Sequence, residues 1–213
     1  IIIASAMYFS DGKKAVVPEV NNKAIVSIKN VKIESEPFIG NPNAPVTMAV
    51  WFDYQCPACQ YNEQNLISPL VAEYVKTGKL KIIFKDFAFL GLPQIQDSMN
   101  LALTARAVWE AYPDKFYEWH KTIFTNQGKE NTGWATKTVI SDLTKKVPGI
   151  DITIIDNLLT NNLEKYKKLI EDDKNEGIKF GINATPSFII GETLQVGVPQ
   201  YAVVKQSIDS LLK

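Results

Sequence analysis

Cysteine is scarce in this 213-residue chain, which has Cys56 and Cys59 and no others, and histidine occurs once, at His120. Two cysteines cannot supply the several bridges that hold small disulfide scaffolds together. A structural zinc site wants four nitrogen or sulfur ligands, and two thiols with one distant imidazole fall short of it, so no metal and no cofactor is expected. Neither sign of charge dominates, because 23 Lys and Arg balance 23 Asp and Glu and the pI is about 6.8. Without a net field there is nothing to hold a polyanion by counterion release, and nucleic acid is not expected as a partner. Long apolar runs are missing too. The opening Ile1 to Phe9 is apolar apart from Ser5, but a bilayer span takes about 20 residues. It reads as the end of a signal or membrane anchor, with Ala4-Ser5-Ala6 matching the small residues of a cleavage site. That predicts an extracytoplasmic protein, periplasmic or tethered to the outer face of the cytoplasmic membrane.

What is present is enough apolar sequence, 46% of the chain, to bury a full core in one compact unit, read as a monomer. Residues 1–23 are assigned to the anchor remnant and a polar linker. Residues 24–93 open with loose β-branched alternation over Ala24 to Ile33, which predicts a first strand. The turn formers Gly40 to Pro45 then precede Val46 to Phe52, a continuous apolar run expected of a strand covered on both faces. A helix is predicted from Gln60 to Lys76, kinked at Pro69, followed by a strand from Leu80 to Phe84. Residues 94–180 read as five helices broken at Pro113, Gly128, Gly133 and Pro148-Gly149. Residues 181–213 supply strands at Ser187 to Ile190 and Thr193 to Val196 and a closing helix. The fold class is α/β, two sheet-forming parts with a helical block inserted between them.

Cys56-Pro57-Ala58-Cys59 lies where the buried strand runs into a helix. Pro57 suits the first helical turn, where its missing N–H costs nothing. Cysteines at i and i+3 there can close a small ring, and the helix start favours the thiolate of the more exposed sulfur, expected to be Cys56. A substrate thiolate that attacks Cys56 expels Cys59, and a second substrate thiol completes the exchange. Each unit taken off the Cys56 pKa is ~1.4 kcal/mol and roughly 30 mV of oxidising power, so Pro57 and Ala58 are tuning residues. Spacing alone leaves a metal pair or a structural bridge open. Context favours redox chemistry, since Thr185-Pro186 also stands just before an apolar strand.

Three stretches together resemble the DsbA-like disulfide oxidoreductases: Gly40 to Thr47, Phe52-Asp53-Tyr54-Gln55-Cys56-Pro57-Ala58-Cys59, and Ala184-Thr185-Pro186-Ser187-Phe188. The resemblance runs from about Glu36 to the C-terminus. It implies a thioredoxin fold with an inserted helical domain, Cys56 as attacking and Cys59 as resolving cysteine. It also implies a cis Pro186 facing the disulfide, which presents the Thr185 backbone to an extended substrate. Unfolded or reduced exported proteins are the implied substrates and a membrane redox partner the implied oxidant. Two departures matter. Ala58 replaces the histidine of the strong oxidants, which predicts a milder one, and Val50 stands where many thioredoxin folds bury an acid. The rivals are a reductase or isomerase on the same fold, and a binding or chaperone module with a structural bridge.

Other residues have plainer readings. Asp53 either shuttles a proton and orients the loop or is solvated at a strand end. Lys85-Asp86 and the acidic cluster Glu171-Asp172-Asp173 read as solvated charge. His120 is read as structural or partly exposed, and Trp109, Tyr112, Phe116, Tyr117 and Trp119 as helical core more than substrate groove.

Overall fold

The computed structural model describes residues 26–213, so the expected anchor remnant and linker at 1–23 lie outside the described residues. Among these, five strands form one sheet: β1 (Phe38–Ile39), β2 (Val46–Phe52), β3 (Leu80–Asp86), β4 (Ser187–Ile190) and β5 (Thr193–Val196), in the order β1-β3-β2-β4-β5. β2 and β3 run parallel, and the remaining pairs are antiparallel. β2 sits at the centre, and its unbroken apolar run is explained by burial on both faces. Met48, Val50 and Phe52 point into the main core, while Ala49 and Trp51 point into a second cluster with Ile83, Phe87 and Ile189.

The predicted strand over Ala24 to Ile33 is not there in the described part. Ile28–Asn30 is a 3₁₀ turn whose N-cap Ser27 accepts from the Lys29 N–H, and the Ile28 N–H reaches the Gly191 carbonyl. Loose β-branched alternation gave no register to pair, and the local serine bond captured the backbone instead.

After β2 comes one helical rod, α1 (Pro57–Asn62) and α2 (Ser68–Leu70), alternating with π-type turns at Glu63–Ile67 and Val71–Val75. The wider turns flank Pro69 and accommodate the ring that cannot donate an N–H. The block between β3 and β4 holds α3 (Asp97–Ala111), α4 (Phe116–Thr125), α5 (Lys137–Thr144), α6 (Ile152–Asn161) and α7 (Leu163–Lys179), and α8 (Tyr201–Leu211) closes the chain. Phe116 and Trp119 are core, and Trp109, Tyr112 and Tyr117 pack partly buried against it. In α7, Gly177 lies where a Cβ would sit 2.9 Å from Trp51 Nε1, so only glycine lets the helix approach the sheet this closely.

Lys85, Asp86 and Asp173 are not solvated. Together with Glu36, Arg106 and Glu176 they form a buried charge network that ties α3 and α7 to β3. Arg106 donates to Asp86 and to Glu36, each at 2.7 Å, and to Asp173; Lys85 pairs with Asp173 and, at 3.1 Å, with Glu36 and Glu176. Four carboxyls face two cations. Burial pushes the Glu36 carboxyl up to about 7 and that of Asp86 up to about 6, against the pull of Arg106.

Both groups therefore keep protons in the fold at pH values where the unfolded chain has lost them. The folded state binds more protons across this window, and its stability falls as pH rises from about 4 to 7. In a Cys56→Ser, Cys59→Ser background, where no thiol titrates, the urea unfolding free energy should drop between pH 5 and 7.5 by on the order of 1 kcal/mol or more. Glu36→Gln should flatten that slope. A profile that rises through the window would show the two carboxyls to be ordinary.

Candidate active site

The site is built by one strand pair. Trp51 and Ser187 are register partners in the antiparallel β2–β4 ladder, so the segment leaving β2 and the segment entering β4 emerge at the same end of the sheet. The first carries Asp53 to Cys59 and the second Thr185-Pro186, whose peptide bond is cis. The Cys56 N–H bonds to the Asp53 carbonyl at 3.0 Å, closing a turn. The Cys56 carbonyl then accepts from the N–H groups of Cys59 and Gln60 at 3.0 and 3.1 Å, which begins the helix. Cys56 is the N-cap, extended at φ −71° and ψ 118°, and Pro57 takes the first helical position.

Both cysteines are free thiols. Cys56 is the more exposed, as the helix start requires, but at 7% against 2% for Cys59 it is far less open than the sequence suggests. Its sulfur lies 3.5 Å from the Thr185 carbonyl oxygen. The bond from the Cys59 thiol brings the Cys56 thiol down to about 6; burial opposes this, and Thr185 and the backbone N–H groups of Cys59 and Ala58 assist. Burial pushes the Cys59 thiol well above the ordinary range, and its bond with Cys56 adds to that. One sulfur is thus held as a thiolate at neutral pH and its neighbour as a thiol.

Asp53 is buried, not solvated. Its carboxylate accepts from the Gln55 N–H at 2.8 Å, the Ser98 hydroxyl at 2.6 Å, and the N–H groups of Phe89 and Leu90 at 3.0 Å. Burial pushes its pKa up against those four bonds. It binds the cysteine loop to the segment after β3 and to α3. From behind α4, the Gln127 side chain reaches the carbonyls of Tyr54 and Cys56 at 2.7 and 3.2 Å. Ser98 and Gln127 carry no local sequence signal for this, since both bonds span more than forty residues.

His120 is fully buried beneath the site and not partly exposed. Its ring contacts Phe52, Phe84 and Phe124 edge-on or tilted, and it faces Tyr54 and Glu63. Glu63 carries no local signal of its own, because it lies just past the cysteines in a stretch that reads as plain helix. Among the described residues no group of three His, Cys, Asp or Glu is arranged to hold a metal ion, and no helix is long and apolar enough to cross a membrane.

A parallel β2–β3 unit, an antiparallel β4–β5 pair and a dithiol at the start of the intervening helix define a thiol-disulfide oxidoreductase with a helical insertion. The chain belongs to the thioredoxin family, whose model, described as "Thioredoxin", matches residues 32–210. It is 27% identical over 197 residues to "Disulfide bond formation protein D" of Bacillus subtilis, covering 92% of this chain and 84% of that protein. Among solved structures it superposes on oxidised BdbD from Bacillus subtilis with a TM-score of 0.74 at 26% identity, over 85% of this chain and 95% of that one. The thiol-disulfide exchange protein alpha-DsbA2 from Wolbachia pipientis gives a TM-score of 0.73 at 27% identity, over 84% and 88%.

Proposed function

We propose that this protein oxidises the thiols of unfolded, exported proteins, with Cys56 as the attacking and Cys59 as the resolving sulfur. The observation that carries the reading is the placement of the two thiols: Cys56 caps the start of the helix 3.5 Å from the Thr185 carbonyl oxygen beside cis Pro186, with Cys59 buried one turn behind it. This setting brings the Cys56 thiol down to about 6 and pushes that of Cys59 up. In the disulfide form, a substrate thiolate attacks the Cys56 sulfur and Cys59 leaves with the electron pair. A second substrate thiolate attacks the substrate sulfur of this mixed disulfide and expels Cys56, a good leaving group because its thiolate is stabilised. The substrate gains a disulfide and the enzyme is left as a dithiol, to be reoxidised by a membrane redox partner. Thr185 and Pro186 flank the sulfur where an extended polypeptide would lie. Pro57 and Ala58 set the poise, and Asp53 fixes the loop. The name of the Bacillus subtilis relative, a disulfide bond formation protein, supports the oxidising direction, and disulfides form and persist in oxidising compartments, which fits an extracytoplasmic location. The protein acts as a monomer, and its balanced charge gives it no net field for a nucleic acid.

Ala58 favours a second reading, a reductase or isomerase, because no imidazole stabilises the thiolate from that place. The redox potential decides. A Cys56 pKa near 6 lies between about 3.5 for DsbA and about 7 for thioredoxin, whose potentials are about −120 and −270 mV. At roughly 30 mV per unit, the two references bracket the pair at about −195 to −240 mV. Equilibration against glutathione, followed by tryptophan fluorescence, measures it. A value at or below about −270 mV would make the protein a reductase. No turnover in insulin reduction, with a still lower value, would leave a structural bridge.

A further inference from the structure

Beneath Cys59, the helical rod and α4 enclose a small cavity lined by Cys59, Asn62, Glu63 and His120, with Val50, Phe52 and Phe84 contributed by β2 and β3. It leaves about 10 Å³ for the centre of a water molecule, enough for one. Asn62 is 3% exposed, and its Oδ1 has no hydrogen-bond partner among the described residues. A buried carbonyl oxygen without a donor is the kind of group an internal water satisfies. Glu63 and His120 meet at the same place, Oε2 and Nε2 lying 3.4 Å apart. The pair is held from outside by Tyr54, whose hydroxyl is 3.0 Å from His120 Nδ1, and by Tyr117 and Ser68, which donate to Glu63 Oε1 at 2.8 and 3.3 Å. Glu63 follows Cys59 by four residues, so both lie on one face of the rod, and the Glu63 N–H bonds to the Cys59 carbonyl.

We propose that Glu63 and His120, through a water held by Asn62, take the proton of Cys59 when that thiol closes the disulfide and return it when the disulfide opens. This deepens the function proposed above and rests on it. On closure, Cys59 gives its proton to the water, which passes one to the carboxylate–imidazole pair. The Cys59 thiolate then attacks the Cys56 sulfur, the bond from Cys56 to the incoming partner breaks, and the partner departs as a thiolate with the electron pair. On opening, Cys59 leaves as a thiolate and the proton comes back. Burial makes the bare thiol reluctant to ionise, and Val50, on the cavity wall, can accept nothing. The titratable groups facing the pair are Cys59 on the rod, Tyr117 on α4 and Tyr54 after β2; Asp86, Glu63 and Arg106 act on Tyr54.

The test is stopped-flow oxidation of the reduced protein by excess oxidised glutathione, which separates bimolecular capture by Cys56 from unimolecular closure by Cys59. Glu63→Gln should slow closure at least about tenfold at pH 6–7, with the deficit shrinking toward pH 9 as hydroxide takes over the proton. Capture should keep its rate, and it reports the roles of Cys56 and Cys59 separately, so loss of capture points to a failure of the proposed function itself. Asn62→Leu replaces an unpartnered polar group by an apolar one of similar size and should give the same pH-dependent deficit with Glu63 in place. It decides the matter if Glu63→Gln does not fold. An unchanged closure rate in either folded variant, or a deficit equal at every pH, overturns the proposal.

Discussion

Cys56→Ser is expected to cut thiol-disulfide exchange at pH 7 by at least about 100-fold. With a pKa of about 6, the Cys56 thiol is about 90% thiolate at that pH. The sulfur that remains in the variant, Cys59, starts from 9.0 and is raised further by burial, so at most about 1% of it is ionised. That ratio alone supplies the factor, before counting that Cys59 is 2% exposed and a substrate sulfur cannot reach it in line. Cys59→Ser should behave differently. Cys56 still attacks, but nothing closes behind it, so substrate accumulates as a covalent adduct that a non-reducing gel displays. Insulin reduction and gel trapping read the two variants side by side. If Cys56→Ser retained exchange within tenfold of the parent, the assignment of the reacting sulfur would be wrong.

Arg106→Met should cost about 3–5 kcal/mol of folding stability, the range for removing one partner from a buried ion pair. The guanidinium spends its donors on Asp86, Glu36 and Asp173, and without it Lys85 is left facing four carboxyls. For a chain of this size the loss corresponds to a fall in Tm of about 6–20 °C. Protonation of the surplus acids should relieve part of it, so the defect should be smaller at pH 5 than at pH 8, and adding Glu36→Gln should recover a share of it at pH 8. Urea denaturation at the two pH values measures all three quantities. A loss under about 1 kcal/mol would mean that water already screens the network.

Much of the catalytic end could be read from local pattern. A seven-residue apolar strand, a proline at the first helical position and the Cys56–Cys59 spacing each act within a few residues, and β2, the helix start and the two closing strands stand where those signals place them. What local pattern could not show is pairing across the chain. Asp53 meets Ser98, Asp173 meets Lys85 and Arg106, and Glu63 meets His120, each across dozens of residues. A run of three acids in α7 reads as a solvated face until its helical period is followed. Tyr166, Ile170, Asp173 and Gly177 then fall on one buried stripe, and this phase was the available signal. His120 similarly shares the buried face of α4 with Phe116, Trp119 and Ile123. The loose alternation before Val31 misled in the opposite direction, because a strand needs a partner and this stretch has a serine cap instead.

The meeting of Cys56 and Thr185 is inherited from the ladder that joins Trp51 to Ser187 at the centre of the sheet. Those two strands lie in the middle of the sheet, so the loops that carry the sulfur and the carbonyl are each anchored a few residues away in the interior of the molecule. The loops can breathe to admit a substrate while their roots stay fixed.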